Sequence, residues 1–371
     1  MNIKENEKYL SEQLITYIGN KRSLLNFIGQ GVDIVKKDLN KDKLITFDGF
    51  AGSGVVSRYL KQHSSYLISN DFEEYSYVIN KTYLCNKDEL DFEYIEYITN
   101  ELNRLKLRTD LGMGFIEKLY APKNDNSIQD GERVFYTNKN AKIIDNIRRT
   151  IDLIVDRKDY RDLFISTLMI KASVHTNTGG VFKGFYKNNK GIGEFGGTGK
   201  NALSRIMGEI ELPIPILSDF NCKSAVYNQD TNTLVKKFKK MVDLTYYDPP
   251  YNEHPYGSNY FMLNLIYSYI EPTKISKVSG IPEDWQRSDY NKKEPARKSL
   301  DDLIRNTPSR YILLSYNNEG VIPHDVVVEI LSKYGDLTVL TQEYNTYRAS
   351  RNLKDRDNKV SEIIYVLKKG S

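Results

Sequence analysis

Along the first 85 residues, apolar positions recur with helical spacing, then strand spacing, then helical spacing again. Leu24, Leu25, Phe27, Ile28, Val32 and Val35 predict a helix over residues 21–35. Leu44-Ile45-Thr46-Phe47 is a short apolar run with the length of a buried strand, and residues 49–54 form a glycine-rich turn. A helix over 55–62 follows, then a second strand, Tyr66-Leu67-Ile68-Ser69, and a helix running through Tyr83. Strand, turn, helix and strand in that order are the unit of a parallel sheet.

The rhythm then changes. Residues 87 to about 170 read as mostly helical, with clear periodicity over 94–105 and 140–155. Residues 176–200 are rich in Gly, Asn and Lys, which suits a loop or hairpin, and Pro213 and Pro215 close the block. Strand–helix alternation then resumes: a strand over 242–247, a helix over 259–270, a polar Pro/Lys loop over 271–299 holding Trp285, and strands over 311–315, 337–342 and 363–367. The expected fold is α/β, with a catalytic portion in two parts, 1–86 and 216–371, interrupted by an inserted, mostly helical domain over 87–215. No internal repeat stands out.

Composition narrows the class. With 371 residues, 40% hydrophobic and 27% charged, the chain can bury a sizeable core. The polar N-terminus has no signal-peptide core, and the apolar runs are too short to span a bilayer, so a cytoplasmic location is expected. The two cysteines, Cys85 and Cys222, and the four histidines show no metal-ligand spacing, and no metal is expected. The net charge of +4 decides little, but its distribution says more. Lys171, Lys183, Lys187, Lys190, Lys200 and Arg205 face only Glu194 within their segment. Arg348, Arg351, Lys354, Arg356 and Lys359 form a second basic run. Basic residues interleaved with aromatic residues, Gly and Asn suit a polyanion, or simply a solvated face.

The sharpest chemical signal is Asp248-Pro249-Pro250-Tyr251, directly after the apolar strand Leu244-Thr245-Tyr246-Tyr247. The carboxyl ends of strands are where α/β sites form. Two prolines stiffen the turn, so the Asp carboxylate and neighbouring carbonyls are fixed in space. An exocyclic ring amine is a poor nucleophile because its lone pair delocalises. Two acceptors on its protons, Asp248 and the Pro249 carbonyl, would pull it toward tetrahedral shape and aim that lone pair. Tyr251 offers a face for an extruded base. The glycine turn in Phe47-Asp48-Gly49-Phe50-Ala51-Gly52-Ser53-Gly54 lets a ligand approach the backbone. It fails the dinucleotide fingerprint, since Ser57 stands where a third glycine is needed, and better fits a carboxylate-bearing nucleoside. Asp71, ending the second strand, either holds ribose hydroxyls or caps a helix. Tyr17-Ile18-Gly19-Asn20-Lys21 either starts a helix or supplies an aromatic wall and a cation for a ligand carboxylate. Asp230, in Tyr227-Asn228-Gln229-Asp230, is either a turn residue or an acceptor for a cofactor amine. Gly196–Asn201 does not complete a phosphate loop, because Glu194 and Asn201 break the pattern, and Asp156-Arg157-Lys158 has no strand-borne carboxylate partner for a nuclease.

Taken in order, Tyr17 to Lys21, Asp48 to Gly54, Asp71, a long insertion, Asp230 and Asp248 to Tyr251 resemble the adenine-N6-specific DNA methyltransferases of the Dam type. The resemblance covers roughly residues 10–85 and 220–371. It implies a class I S-adenosylmethionine-dependent methyltransferase fold, a Rossmann-like mixed sheet with the target recognition domain inserted before the tetrapeptide. It implies direct in-line transfer of a methyl group from S-adenosylmethionine to a flipped adenine in double-stranded DNA, with S-adenosylhomocysteine as product. Tyr17, Lys21, Asp48, Phe50, Gly52, Gly54, Asp71, Asp230 and Asp248 would surround the cofactor, and Asp248, Pro249, Pro250 and Tyr251 would hold the adenine. Lys183, Lys187, Lys200, Asn259, Arg348 and Arg351 would meet DNA. Tyr17 departs from relatives that carry Trp, and the insertion specifies no target sequence. The resemblance further implies the modification enzyme of a restriction–modification system, with an endonuclease acting on the same sites without stable contact; an orphan role is the alternative. An RNA adenine methyltransferase, or a non-catalytic DNA-binding protein on the same scaffold, are the competing readings.

Overall fold

The computed structural model describes residues 4–253, 255–318, 320–345 and 359–370. Seven strands make one sheet: β1 (Leu44–Asp48), β2 (Ser64–Asp71), β3 (Lys223–Asn228), β4 (Val242–Tyr247), β5 (Ser309–Asn317), β6 (Gly335–Asn345) and β7 (Lys359–Lys369). Their order is β3-β2-β1-β4-β5-β7-β6. The first five run parallel, while β7 runs antiparallel between β5 and β6. That order with its one reversed inner strand is the class I methyltransferase fold.

The pleat sends alternate side chains to two covered faces. Leu244 and Tyr246 of β4, Tyr311 and Leu313 of β5, and Ile364 and Val366 of β7 pack with the helix Leu25–Leu39 and with Val56 and Leu60. Their neighbours Tyr247, Ile312, Leu314, Ile363 and Tyr365 pack with helices Lys293–Asn306 and His324–Ser332. The strand order reverses direction between β1 and β4, which opens a crevice at their carboxyl ends. The residues that end those two strands are Asp48 and Tyr247, with Asp248 next.

Between the helix Glu74–Tyr83 and β3 lie the helices Phe92–Leu105, Phe115–Tyr120, Asn138–Ile154, Lys158–Val174 and Leu203–Met207. A single apolar cluster runs from Tyr9 and Tyr75 through Ile95, Ile144 and Phe164 to Phe261–Ile266. The helical block is therefore welded to the sheet portion rather than tethered to it. Buried Arg58 fixes the approach to the site: its guanidinium donates to the carbonyls of Tyr9 and Glu12, so the segment leading to Tyr17 is held down.

Three elements were not expected. The helix Lys293–Asn306 starts inside the segment read as a polar loop to residue 299. Pro295 sits in its first turn, where the missing N–H has no partner to lose, and Ala296, Leu300, Leu303 and Ile304 bury one face. The helix His324–Ser332 begins at Pro323, and only its apolar run over 326–328 had stood out. Strand β3 is an edge strand, mostly half-exposed, so its sequence lacks the apolar run of the inner strands.

Candidate active site

The crevice is a cleft of about 490 Å³ at the carboxyl ends of β1 and β4. It is lined by Tyr17, Lys21, Phe50, Gly52, Asp71, Asp230, Asp248 and Pro250, which brings seven of the nine expected cofactor residues to one place. Asp48 and Gly54 do not line it. Asp48 is fully buried behind the turn, where its Oδ2 accepts from Ser57 Oγ at 2.6 Å. Burial, opposed by that hydrogen bond and reinforced by the charges of Asp248 and Asp71, pushes Asp48 up to about 7. Gly54 begins the helix Val55–Lys61 and faces Asn80.

The turn is locked by the strand beside it. Asp71 accepts from Gly52 N (2.7 Å) through one oxygen and from Glu73 N (2.9 Å) through the other. Ser76 Oγ donates to Gly52 O at 2.6 Å. Asp71 thus shapes the loop as well as facing the cleft. Gly52 has φ +51°, and a Cβ there would lie 2.7 Å from the Tyr17 ring, so both its backbone and its neighbour require glycine. Tyr17 belongs to a cluster of near-parallel rings, its centroid 5.0 Å from Tyr256 and 4.9 Å from Tyr260, with those two 6.0 Å apart. Asp230 caps the turn that follows β3, where Oδ1 accepts from Thr233 N and Oγ1, each at 2.8 Å, and the residue also lines the cleft.

At the end of β4, Asp248 and Pro250 face the cleft, and Tyr251 packs edge-on against Tyr316 with centroids 6.1 Å apart. The stiff turn is held from outside by Val321 N donating to Tyr251 O (2.9 Å) and by Asn291 Nδ2 donating to Asn252 O (2.7 Å). Lys21 Nζ stands 3.3 Å from Asp248 Oδ1 and 2.6 Å from Glu362 Oε1. Both Lys21 and Glu362 are buried, at 4% and 1% exposure, and Ser315 Oγ donates to the same Glu362 oxygen at 2.7 Å. Burial pushes the Asp248 carboxyl up; the Lys21 ammonium pulls it back and Glu362 pushes it further, leaving it at about 7. Burial works against the Lys21 ammonium, but Asp248 and Glu362 outweigh it and hold Lys21 well above the ordinary lysine value.

Sequence reading missed three contributors. The far wall of the cleft comes from residues 286–291, inside the segment read only as a polar loop. Glu362 lies on β7, more than a hundred residues from the tetrapeptide, and no local pattern marks it. Glu73, buried beside the cleft and accepting from Asn264 Nδ2 at 2.8 Å, was also unforeseen; burial, opposed by that amide, lifts it to about 8.

The basic residues divide. Lys183 and Lys187 are exposed on the loop after the helix Lys158–Val174, where Lys187 bridges to Gly193. Lys200 is exposed and pairs with Glu194 at 2.6 Å. Asn259 is a correction: it is 1% exposed in the short helix Tyr256–Asn259, and its carbonyl accepts from Phe182 N at 2.7 Å. It joins the helical block to the site and presents no surface to a duplex. Arg348 and Arg351 lie outside the described residues.

Comparison with known sequences identifies the family. Residues 17–330 match the family described as D12 class N6 adenine-specific DNA methyltransferase. The Type II methyltransferase M.NlaIII of Neisseria lactamica is 32% identical over 362 residues, covering 96% of this chain and 99% of that protein. M.CviAII of Paramecium bursaria Chlorella virus 1 is 29% identical, covering 95% and 97%. Modification methylase StsI of Streptococcus sanguinis is 29% identical over 95% of this chain and 52% of its own length.

Proposed function

The chain belongs to the D12 class N6 adenine-specific DNA methyltransferases, and on that premise we propose how its residues divide the work. The cleft takes S-adenosylmethionine. Three observations support this: a volume suited to a nucleoside with an amino-acid tail, a glycine cradle that any Cβ would fill, and acidic residues at the end of β2 and just after β3. Asp71 faces the ribose hydroxyls, Asp230 the cofactor's ring amine, Phe50 and Tyr17 supply apolar walls, and Lys21 neutralises the carboxylate end. When bound, the cofactor supplies an electrophilic methyl on sulfur.

The chain's own residues do the rest. Asp248 and the Pro249 carbonyl accept the two protons of the adenine amine and turn its lone pair outward. Tyr251 stacks on the flipped base. Methylation leaves the nitrogen cationic, and Asp248 takes the released proton; a carboxyl at about 7 is matched to that exchange near neutrality. The observation that carries this reading is Asp248 at the mouth of β4, half-buried with its Oδ1 enclosed, and facing the same cleft as Gly52 and Asp71.

The segment 87–215 serves as the target recognition insert between the catalytic parts 1–86 and 216–371, with Lys183, Lys187 and Lys200 at the DNA backbone. Relatives named as type II and modification methylases support a role as the modification enzyme of a restriction–modification system, with an endonuclease sharing its sites. The enzyme would work where the DNA is, in the cytoplasm or nucleoid; no helix among the described residues is long and apolar enough to cross a membrane. Neither RNA as substrate nor a non-catalytic role finds support in the family or the relatives.

The test is transfer from methyl-labelled S-adenosylmethionine to duplex DNA, followed by digestion to nucleosides. Label in N6-methyl-2′-deoxyadenosine is expected, at a site that single-molecule sequencing would map. Label on cytosine, or none, would sink the reading. Gly52→Val should weaken S-adenosylhomocysteine binding by about a hundredfold or more, roughly 3 kcal/mol, because the new side chain collides with Tyr17 and fills the cradle. Calorimetric titration would show this, and an unchanged Kd would remove the cofactor from this turn.

A further inference from the structure

Among the groups around the site that have no role in the transfer, Glu362 is the one in contact with Lys21. It lies outside the residues 17–330 matched by the family, and it enters from β7, the reversed strand. Burying a carboxylate at 1% exposure is costly unless it does something specific. Among the described residues its side-chain hydrogen-bond partners are Lys21 and Ser315, both on Oε1, and Oε2 is buried with no donor. The site therefore holds two carboxylates against one ammonium.

How that ammonium is shared decides the chemistry. Lys21 Nζ is hydrogen-bonded to Glu362 at 2.6 Å but stands 3.3 Å from Asp248 Oδ1, off the line of a hydrogen bond. Asp248 Oδ1 is left buried and without a hydrogen-bond partner among the described residues. An acceptor in that state is what an incoming amine needs. If the ammonium were free to choose, it would close on Asp248 and occupy that oxygen, since charge-assisted pairs prefer about 2.7–2.9 Å.

We propose that Glu362 is a positioning residue: by gripping Lys21 it keeps that cation beside Asp248 without letting it hydrogen-bond the carboxylate, so that Asp248 Oδ1 stays open for the adenine amine. The inference rests on the reading of Asp248 as the acceptor for that amine. Ser315 fixes the Glu362 oxygen from β5. The ionisable groups that face Asp248 are Lys21 from the N-terminal segment, Glu362 from β7, Asp48 from β1, Tyr246 from its own strand, Tyr316 from β5 and Tyr256 from the helix Tyr256–Asn259.

Glu362→Gln tests this with shape preserved. The amide oxygen can still accept from Ser315 and Lys21, but the charge that outcompetes Asp248 is gone. Two changes are expected together. The maximal kcat should fall on the order of 10- to 100-fold, as the acceptor is occupied and misaimed. The acidic limb of kcat against pH should move to lower pH, because Asp248 loses a like-charged neighbour and gains a closer cation. The Kd for S-adenosylhomocysteine should stay within about twofold, since Glu362 does not line the cleft. Glu362→Asp should recover part of kcat and of the limb's position. Should Glu362→Gln fold poorly, Ser315→Ala is the milder variant, with a smaller shift in the same direction. A merely structural Glu362 would lower Tm and the active fraction but leave the limb where it is, and that result would overturn the proposal, as would an unchanged kcat. The two readings fail separately: a wild-type enzyme that does not methylate adenine defeats the reading of the site, whereas wild-type activity lost in Asp248→Asn but unaffected in Glu362→Gln defeats only the role of Glu362.

Discussion

Asp248→Asn should lose methyl transfer to DNA by about a thousandfold or more while melting no lower than the wild-type protein at pH 8. The loss follows because asparagine can neither offer a charged acceptor to the amine nor take the proton that the methylated nitrogen must shed. The retained stability follows from the environment of the carboxyl. Its folded value is about 7 against an ordinary 3.8, so the folded chain keeps a proton that the unfolded chain releases earlier. A group raised in this way contributes most at low pH, and that contribution is lost as pH climbs from about 4 to about 7. Above 7 the native enzyme carries a buried carboxylate that works against its own fold, and asparagine carries none. The difference in Tm between variant and wild type should therefore shift in favour of the variant between pH 5 and pH 8. Thermal unfolding at the two pH values, beside a single-turnover methylation assay, checks both halves. A variant several degrees less stable at pH 8, or one with near-normal turnover, would contradict the account. Function held at the expense of stability is what an active-site charge predicts.

Most of the site was legible because its residues sit at strand ends, where sequence neighbours stay neighbours in space. Asp48 ends β1 and Gly49 to Gly54 follow it, Asp71 ends β2, Asp230 follows β3, and Asp248 to Tyr251 follow β4. All but Asp230 are announced by an apolar run and a breaker, and the sheet order gathers them at one edge. What was not legible came from packing across the sheet. Glu362 reads locally as one polar residue on a strand, and only the antiparallel register that sets it opposite Asn317 carries it into reach of Lys21. The wall over 286–291 was hidden for another reason: irregular backbone has no period, and its place depends on the helix Lys293–Asn306 that follows, itself masked by Pro295. Asn259 misled because polar residues near a catalytic loop look exposed in sequence, whereas here the polar stretch folds back under the helical block. Asp48 was placed in the cleft by its neighbours, but its own side chain turns inward to Ser57, as the alternation of a strand end dictates.

Lys21 is the residue whose removal should do the most damage to the fold. Lys21→Met keeps the length of the side chain and deletes the only cation within salt-bridge distance of Asp248 and Glu362 among the described residues. Taking one partner from a buried ion group leaves the others uncompensated, a loss of about 3–5 kcal/mol. The sign with pH is fixed by the same carboxyl. Asp248 stands at about 7 with the ammonium beside it, and without that ammonium it must rise further. The folded variant then demands protons over a wider range, from about 4 to beyond 7, so its deficit relative to wild type should be small near pH 5 and grow steadily toward pH 8. Activity should move the other way. At neutral pH the variant's Asp248 is protonated and cannot accept from the amine, so kcat should collapse; at pH 9 part of the carboxylate returns, and part of the turnover with it. Urea unfolding at pH 5.5 and pH 8, set beside kcat at pH 7 and pH 9, reads both trends. A variant whose stability deficit is the same at the two pH values would show that Lys21 does not hold those carboxylates in their charged state, and one whose activity fails to recover at pH 9 would assign Lys21 to the cofactor alone.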